Sequence, residues 1–331
     1  MSLQQGGKIG VLGAGSWGTA LAITAARAGR AVALWDRDPQ RVAALGATRE
    51  NQRYLPGIPL DPAITPTAEI AEAAAAPVIL LAVPAQTVRE VVARLPERTG
   101  TLVLCAKGIE QRTGLRLSEV IAELRPQDAA AALSGPSFAR EAALGLPTAV
   151  TVAAQERAQA VFLCEALASP SFRPYPSDDL LGVELGGALK NVVAVAAGAV
   201  MGKGLGENAR AAVITRGLAE TCRLAEALGA RRETLMGLSG LGDLMLTATS
   251  LTSRNTSFGH ALGQGRSVGE LMAQGQALAE GAWTASAACL LAARHGVELP
   301  IADAVRRVVA GETDLDTVVG ELMARPLAGS E

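Results

Sequence analysis

IGVLGAGSWGTALAITAARAG, residues 9–29, is the stretch on which the reading of the fold turns. Ile9 to Leu12 is a short apolar run, and it stops at Gly13-Ala14-Gly15-Ser16-Trp17-Gly18, a GxGxxG pattern that leads directly into the helix-forming run TALAITAARAG. Gly13 permits the tight turn, Gly15 lets backbone N–H groups approach a pyrophosphate, and Gly18 allows the helix to pack closely. The helix N-terminus then favours the anion. A second strand at Ala31 to Trp35 completes a strand, glycine turn, helix, strand unit. Further strands are expected at Val78 to Val83, Leu102 to Ala106, Ala130 to Leu133 and Ala149 to Val152, with helical stretches such as Thr87 to Leu95 and Leu115 to Leu124 between them. Strand alternating with helix predicts a doubly wound Rossmann-type sheet, an α/β fold. Ligands in such sheets gather outside the carboxyl ends of the strands, which here carry Ala82-Val83-Pro84, Ala106-Lys107-Gly108 and Ser134-Gly135-Pro136-Ser137. Lys107 is thereby placed to meet a ligand, or else it is an exposed lysine at a strand end.

The second strand closes on Asp36-Arg37-Asp38, and Asp36 follows Gly13 by twenty-three residues, near the spacing at which a carboxylate takes the adenosine ribose hydroxyls. Arg37 argues the other way, because a guanidinium beside that position holds the 2′-phosphate of NADP. The choice between NAD and NADP stays open, leaning toward NADP or use of both.

After Gly182 strand signals vanish, and long Ala/Leu-rich helical segments take over at Asn208 to Leu228, Ala282 to His295 and Ile301 to Ala310. The chain therefore divides into a dinucleotide-binding domain, 1–182, and an all-helical C-terminal domain, 183–331. Val183 to Met201, VELGGALKNVVAVAAGAVM, is too long for a strand and apolar on every helical face, with Lys190 its only charge after Glu184. Such a helix is buried and carries one ammonium into a poorly solvated place. Desolvation lowers a lysine pKa, which suits proton transfer near neutrality as an Arg would not. The plain alternative is a snorkelling Lys190, or one paired with a carboxylate. Only four of the thirty basic residues are lysines (Lys8, Lys107, Lys190, Lys203), so lysine at 107 and 190 suggests sites that want a compact or transferable charge. Gly237-Leu238-Ser239-Gly240-Leu241-Gly242-Asp243 is a glycine-rich turn carrying an acid, and Ser253-Arg254-Asn255 offers a planar fork with neutral donors, apt for phosphate. With two histidines, His260 and His295, an imidazole-based triad has little material; His295 reads as a helix-end residue and His260 as a possible neighbour of the Ser253 turn.

At 331 residues, 49% hydrophobic and 19% charged, the chain can core two domains. A net charge of −2 with scattered basic residues leaves no footprint for nucleic acid or anionic lipid, so the expected partner is a small molecule. Cys105, Cys164, Cys222 and Cys289 lie far apart with no CxxC; buried thiols in a reducing compartment are expected, with neither disulfides nor a metal site. MSLQQGG has no signal-peptide core, and no uncharged apolar run reaches eighteen residues, so a cytoplasmic protein without membrane insertion is expected.

Taken together, GAGSWGTALA from Gly13, NQRYLPGI from Asn51, AVPAQ from Ala82, AKGIE from Ala106, LSGPSFAREAALGLPTAV from Leu133, ELGGALKNVVAVAAG from Glu184, GLSGLGDLMLTATS from Gly237 and SRN from Ser253 make the chain resemble the bacterial NAD(P)-dependent glycerol-3-phosphate dehydrogenases. The blocks run in order from about residue 8 to 282. The resemblance implies reversible hydride transfer between NAD(P)H and dihydroxyacetone phosphate, giving sn-glycerol 3-phosphate for phospholipid synthesis. Lys190 matches the proton-transfer residue, with Lys107, Gly135, Ser137, Asp243, Ser253, Arg254 and Asn255 at the substrate. On the cofactor side the matching positions are Ser16, Trp17, Arg37, Lys107, Ala139, Arg254, Leu278 and Glu280, beside Gly13, Gly15 and Gly18; Arg37 and Leu278 fall where the pattern varies. A homodimer is the expected assembly. Two other readings remain at this point: a dinucleotide-binding sensor without chemistry, and a sister dehydrogenase acting on a hydroxy acid or a sugar acid.

Overall fold

The structure, a computed structural model, describes residues 7–97, 100–273 and 279–325. Eight strands form one sheet: β1 (Lys8–Leu12), β2 (Ala31–Trp35), β3 (Ile64–Thr67), β4 (Val78–Leu81), β5 (Thr101–Leu104), β6 (Ala130–Ser134), β7 (Thr148–Ala154) and β8 (Phe172–Ser177). Their spatial order is β3-β2-β1-β4-β5-β6-β7-β8, so the direction of winding reverses between β1 and β4, with Ile9 aligned between Val32 and Val78. Strands β1 to β6 are parallel, and β7 turns back antiparallel to β6 with β8 parallel to it. The doubly wound expectation holds, and the central strands are buried on both faces, as parallel sheets require.

β3 and β8 are not among the expected strands, for one shared reason. ITPT and FRPYPS contain Pro66, Pro174 and Pro176, which cannot donate to a ladder. Both strands are the outer edges of the sheet, where one side has no ladder to serve and proline is tolerated.

From Leu180 onward the described chain is helical. The helix Leu180–Gly202 starts at Asp179, whose carboxylate accepts from Gly182 N at 2.9 Å, and it runs 23 residues. It is long and apolar enough to cross a membrane, yet 78% of its most apolar window is buried inside the protein, so it is the axis of the helical core. Helix Arg254–Gly263 lies against its second half at a spacing only glycine permits. A Cβ at Gly198 would stand 2.1 Å from Thr256 O, and one at Gly259 would stand 1.9 Å from Val195 O. That approach carries the first turn of the 254–263 helix to the flank of Lys190 and Asn191. Cys105, Cys164 and Cys222 are buried free thiols as expected, whereas Cys289 is only partly buried.

Candidate active site

Lys190 lies one-third of the way along the apolar helix axis from Glu184 to Gly202 and is 8% exposed. Its ammonium donates to Asp243 Oδ1 at 2.9 Å and to Thr247 Oγ1 at 2.7 Å. The other oxygen of Asp243 accepts from Lys107 Nζ at 2.5 Å, and Lys107 also reaches the carbonyl of Gly135 at 3.3 Å. One buried carboxylate thus bridges two ammoniums, one from the end of β5 and one from the long helix. The expected burial of Lys190 and the plain alternative of a paired lysine both hold; they are one arrangement. Burial pulls the Lys190 pKa down to about 8 and the Lys107 charge adds to this, while Asp243 opposes it. Burial alone would raise Asp243, yet the two ammoniums hold its carboxyl below the usual range.

Asp243 gets its position from an irregular turn. Leu238–Gly242 forms a π-helical turn, a widened geometry frequent at functional sites, and Asp243 opens the short helix Asp243–Ala248 behind it. Gly187 makes room for the strand ends: a Cβ there would meet Ser134 Oγ at 2.7 Å and Lys107 Cγ at 3.5 Å. Gly135 sits at φ +152° with the backbone of Val150 beside it, and Ser137 Oγ donates to Gly135 O at 2.9 Å.

A chain of amides ties the helical side to the sheet. Asn191 Nδ2 donates to Lys107 O at 3.5 Å, Asn255 Nδ2 donates to Asn191 Oδ1 at 3.0 Å, and Gly281 N donates to Asn255 Oδ1 at 2.8 Å. Asn191 and Thr247 are absent from the residues singled out in the sequence. Each had a signal: Asn191 directly follows Lys190, and Thr247 stands four residues after Asp243 on one helix, where side chains face each other. Ser253 is a buried N-cap whose oxygen accepts from Thr256 N, leaving its hydroxyl hydrogen to donate elsewhere. Arg254 is exposed; its carbonyl accepts from Ser257 Oγ at 3.3 Å, and among the described residues no hydrogen bond or ion pair engages its guanidinium. Burial raises the Glu280 carboxyl pKa while the charge of nearby Arg254 works against it, which brings the first residue of helix Glu280–Arg294 into the same neighbourhood. His260 does not belong to the site. It packs by its backbone against Gly202, twelve residues beyond Lys190 and roughly 18 Å along the helix at ~1.5 Å per residue. His295 caps the end of helix Glu280–Arg294, as expected.

At the carboxyl end of β1 the residues present fit a dinucleotide. Gly13 has φ +111°, and a Cβ on Gly18 would stand 1.8 Å from Gly13 O, so the turn and helix close only with glycine at both positions. A Cβ on Gly15 would meet nothing of the protein within 4 Å, which leaves an open cradle facing the start of helix Ser16–Arg27. That helix has no side-chain cap, so its first N–H groups are available to an anion. Ser16 Oγ donates to Tyr54 O at 2.7 Å, and the buried Trp17 indole N–H has no partner among the described residues. Arg37 is exposed at the end of β2, and Ala139 is the first residue of helix Ala139–Leu144. Leu278 lies outside the described residues.

The chain matches the N-terminal part of NAD-dependent glycerol-3-phosphate dehydrogenase over residues 8–160 and its C-terminal part over residues 179–320. A glycerol-3-phosphate dehydrogenase of the NAD(P)+ type from Parvibaculum lavamentivorans is 53% identical over 322 residues, covering 96% of this chain and 97% of that one. Its counterpart from Methylobacterium radiotolerans is 55% identical over 325 residues, 97% of each. Among solved structures, glycerol-3-phosphate dehydrogenase from Coxiella burnetii superposes with a TM-score of 0.92 at 39% identity, over 97% of this chain and all of that one.

Proposed function

Because the chain belongs to the NAD-dependent glycerol-3-phosphate dehydrogenase family, we propose that Lys190 is the residue that passes the proton when dihydroxyacetone phosphate and sn-glycerol 3-phosphate interconvert. The enzyme is an NAD(P)-dependent oxidoreductase of this pair, and its product feeds phospholipid synthesis. The nicotinamide, when bound, supplies or takes the hydride at the substrate's C2. Lys190 meets the charge that develops on the C2 oxygen: its ammonium stabilises that charge and delivers a proton to it in the reducing direction. In the oxidising direction the neutral amine accepts the proton, and a pKa near 8 keeps both forms within reach at working pH.

Asp243 keeps that ammonium aimed, Thr247 takes its second N–H and so leaves the third for the substrate oxygen, and Lys107 adds a second positive charge at the strand ends. Arg254, whose guanidinium makes no hydrogen bond or ion pair among the described residues, is suited to the substrate phosphate, with Ser253 and Asn255 supplying neutral donors beside it and Gly135 and Ser137 walling the opposite side. Gly13, Gly15, Ser16, Trp17 and Gly18 would hold the pyrophosphate end of the dinucleotide, with Arg37, Ala139 and Glu280 at its margins. We take 1–182 as the cofactor domain and 183–331 as the substrate domain. The same reading makes the protein a cytoplasmic homodimer: the four cysteines form no disulfide, which suits a reducing compartment, and the mass in solution tests the assembly.

The observation that carries the assignment is the buried Lys190 ammonium held by Asp243, a carboxylate that also accepts from a second lysine, Lys107. Oxidation of NAD(P)H is followed with dihydroxyacetone phosphate for the wild type and Lys190→Met. Wild-type turnover should require the substrate, and the variant should lose roughly 10²- to 10⁴-fold in kcat. Full turnover by the variant would assign the proton to another group.

A further inference from the structure

Lys107 reaches Asp243 from a loop that is clamped on both halves of the molecule. β5 ends at Leu104, and the chain then runs without helix or strand to the helix Leu117–Leu124. Ile109, two residues past Lys107, is 1% exposed and lies in the apolar cluster of the helical half with Leu189, Val192 and Ala288. Gly108 passes between the halves: a Cβ there would meet Ala85 Cβ at 2.8 Å and Thr284 Oγ1 at 3.4 Å. On the sheet side the holding group is Glu110, 6% exposed. Arg89 grips its carboxylate side-on, with Nε donating to Oε1 at 2.7 Å and Nη2 to Oε2 at 3.1 Å. Those bonds hold the Glu110 carboxyl below its usual range, so it stays ionised. Gln86 clamps the peptide units on either side, since its Nε2 donates to Ile109 O at 2.9 Å and its Oε1 accepts from Gln111 N at 2.9 Å. Lys107 therefore stands midway between two fixed points, three residues after Leu104 and three before Glu110.

We propose that Glu110 is a positioning residue for the reaction: held by Arg89 and flanked by Gln86, it fixes the chain from which Lys107 reaches Asp243. Resting on the reading of Lys107 as the second charge of the site, this assigns the placement of that charge to groups that act only through it. A bidentate guanidinium–carboxylate pair sets direction as well as distance, and a lysine whose main chain is already fixed loses less freedom when its ammonium is pinned. The consequence reaches Lys190. That ammonium faces Lys107 from β5, Asp243 from the helix Asp243–Ala248 and Glu280 from the helix Glu280–Arg294; Lys107 lowers its pKa and both acids raise it. Displacing Lys107 removes a lowering charge and leaves Asp243 to Lys190 alone. Both changes push the Lys190 pKa up.

The test is a double-variant cycle on the full chain, with Lys107→Met, Glu110→Gln and the two combined, reading oxidation of NAD(P)H with dihydroxyacetone phosphate across pH. Glu110→Gln keeps the side-chain volume, and Arg89 keeps Glu123 as a partner at 3.0 Å, so the urea midpoint should move little. Its kcat should fall about ten- to hundredfold, as expected for a displaced reacting-site group, and the alkaline limb of the profile should move above its wild-type position near 8. In the Lys107→Met background the same substitution should cost less than about twofold, because the residue through which it acts is gone. Equal losses in both backgrounds, or a lower kcat with an unmoved alkaline limb, would make Glu110 a structural residue and overturn the proposal. Full turnover by Lys107→Met would remove Lys107 from the chemistry and take the proposal with it, a failure distinguishable from the first. Gln86→Met, at an exposed position, cuts only the two main-chain bonds and guards against misfolding of the Glu110 variant. It should lower kcat about three- to tenfold with the same upward shift; an unchanged kcat and profile would also overturn the proposal.

Discussion

The glycine crevice at β1 and the ion cluster at Lys190 solve opposite problems. The crevice contributes almost nothing but backbone: Gly13, Gly15 and Gly18 clear space, and an uncapped helix start offers N–H groups to a charge that arrives with the ligand. The cluster contributes charge of its own, three ionisable groups with Lys190 and Asp243 almost completely buried. The crevice depends on the absence of side chains within six consecutive residues. The cluster depends on side chains 53 and 136 positions apart finding one another. A change of shape should therefore damage the first, and a change of charge the second.

The largest effect is expected from Asp243→Asn. Removing that charge leaves two ammoniums facing each other without a counterion in a poorly solvated place, at a cost of about 3–5 kcal/mol in stability. Urea unfolding and kcat should both suffer, while NADPH affinity measured by titration should hold. Arg254→Ala comes next. It removes an exposed fork without disturbing the cluster, so the KM for dihydroxyacetone phosphate should rise about ten- to hundredfold, in line with the loss of a charge-assisted phosphate contact. An unchanged KM would move phosphate recognition to other residues. Gly18→Ala attacks the crevice alone. A Cβ 1.8 Å from Gly13 O must push the helix off the turn, at roughly 1–3 kcal/mol for such overpacking, and the loss should fall on dinucleotide affinity more than on kcat at saturating cofactor.

The finest test is pH. Lys190 titrates near 8 rather than at its ordinary 10.5. Reduction needs the ammonium, so kcat/KM in that direction should fall tenfold per unit above pH about 8, and the oxidising direction should rise through the same range. For stability the sign is fixed by linkage. Between about 8 and 10.5 the unfolded chain binds more protons at this lysine than the native one, so its contribution to stability improves as pH rises across that window. A profile for reduction that stays flat to pH 10 would mean that Lys190 does not supply the proton.

Legibility in the sequence followed the same division. The strand, glycine turn and helix were readable because each is a local backbone requirement, and β2 occupies Ala31–Trp35 as its apolar run indicates. The two outer strands escaped notice because Pro66, Pro174 and Pro176 speak against a ladder, and only the edge position of β3 and β8 removes the objection. Asn191 and Thr247 escaped notice for another reason. Neither residue type carries a charge or a motif, and their importance comes from what stands opposite them: Lys107 O and Asn255 for the one, Lys190 for the other.

By itself the sequence determined a doubly wound sheet with a dinucleotide turn, a following helical region, and a lysine inside an apolar helix, because backbone sterics and hydrophobic periodicity act over a few neighbouring residues. Only the tertiary structure decided that this lysine shares Asp243 with Lys107, that Asn255 reaches Asn191 across glycine-packed helices, and that Glu110 is bound by Arg89. The energy of a charge depends on which groups lie within a few ångströms and on how much water is excluded, and chain folding alone sets both.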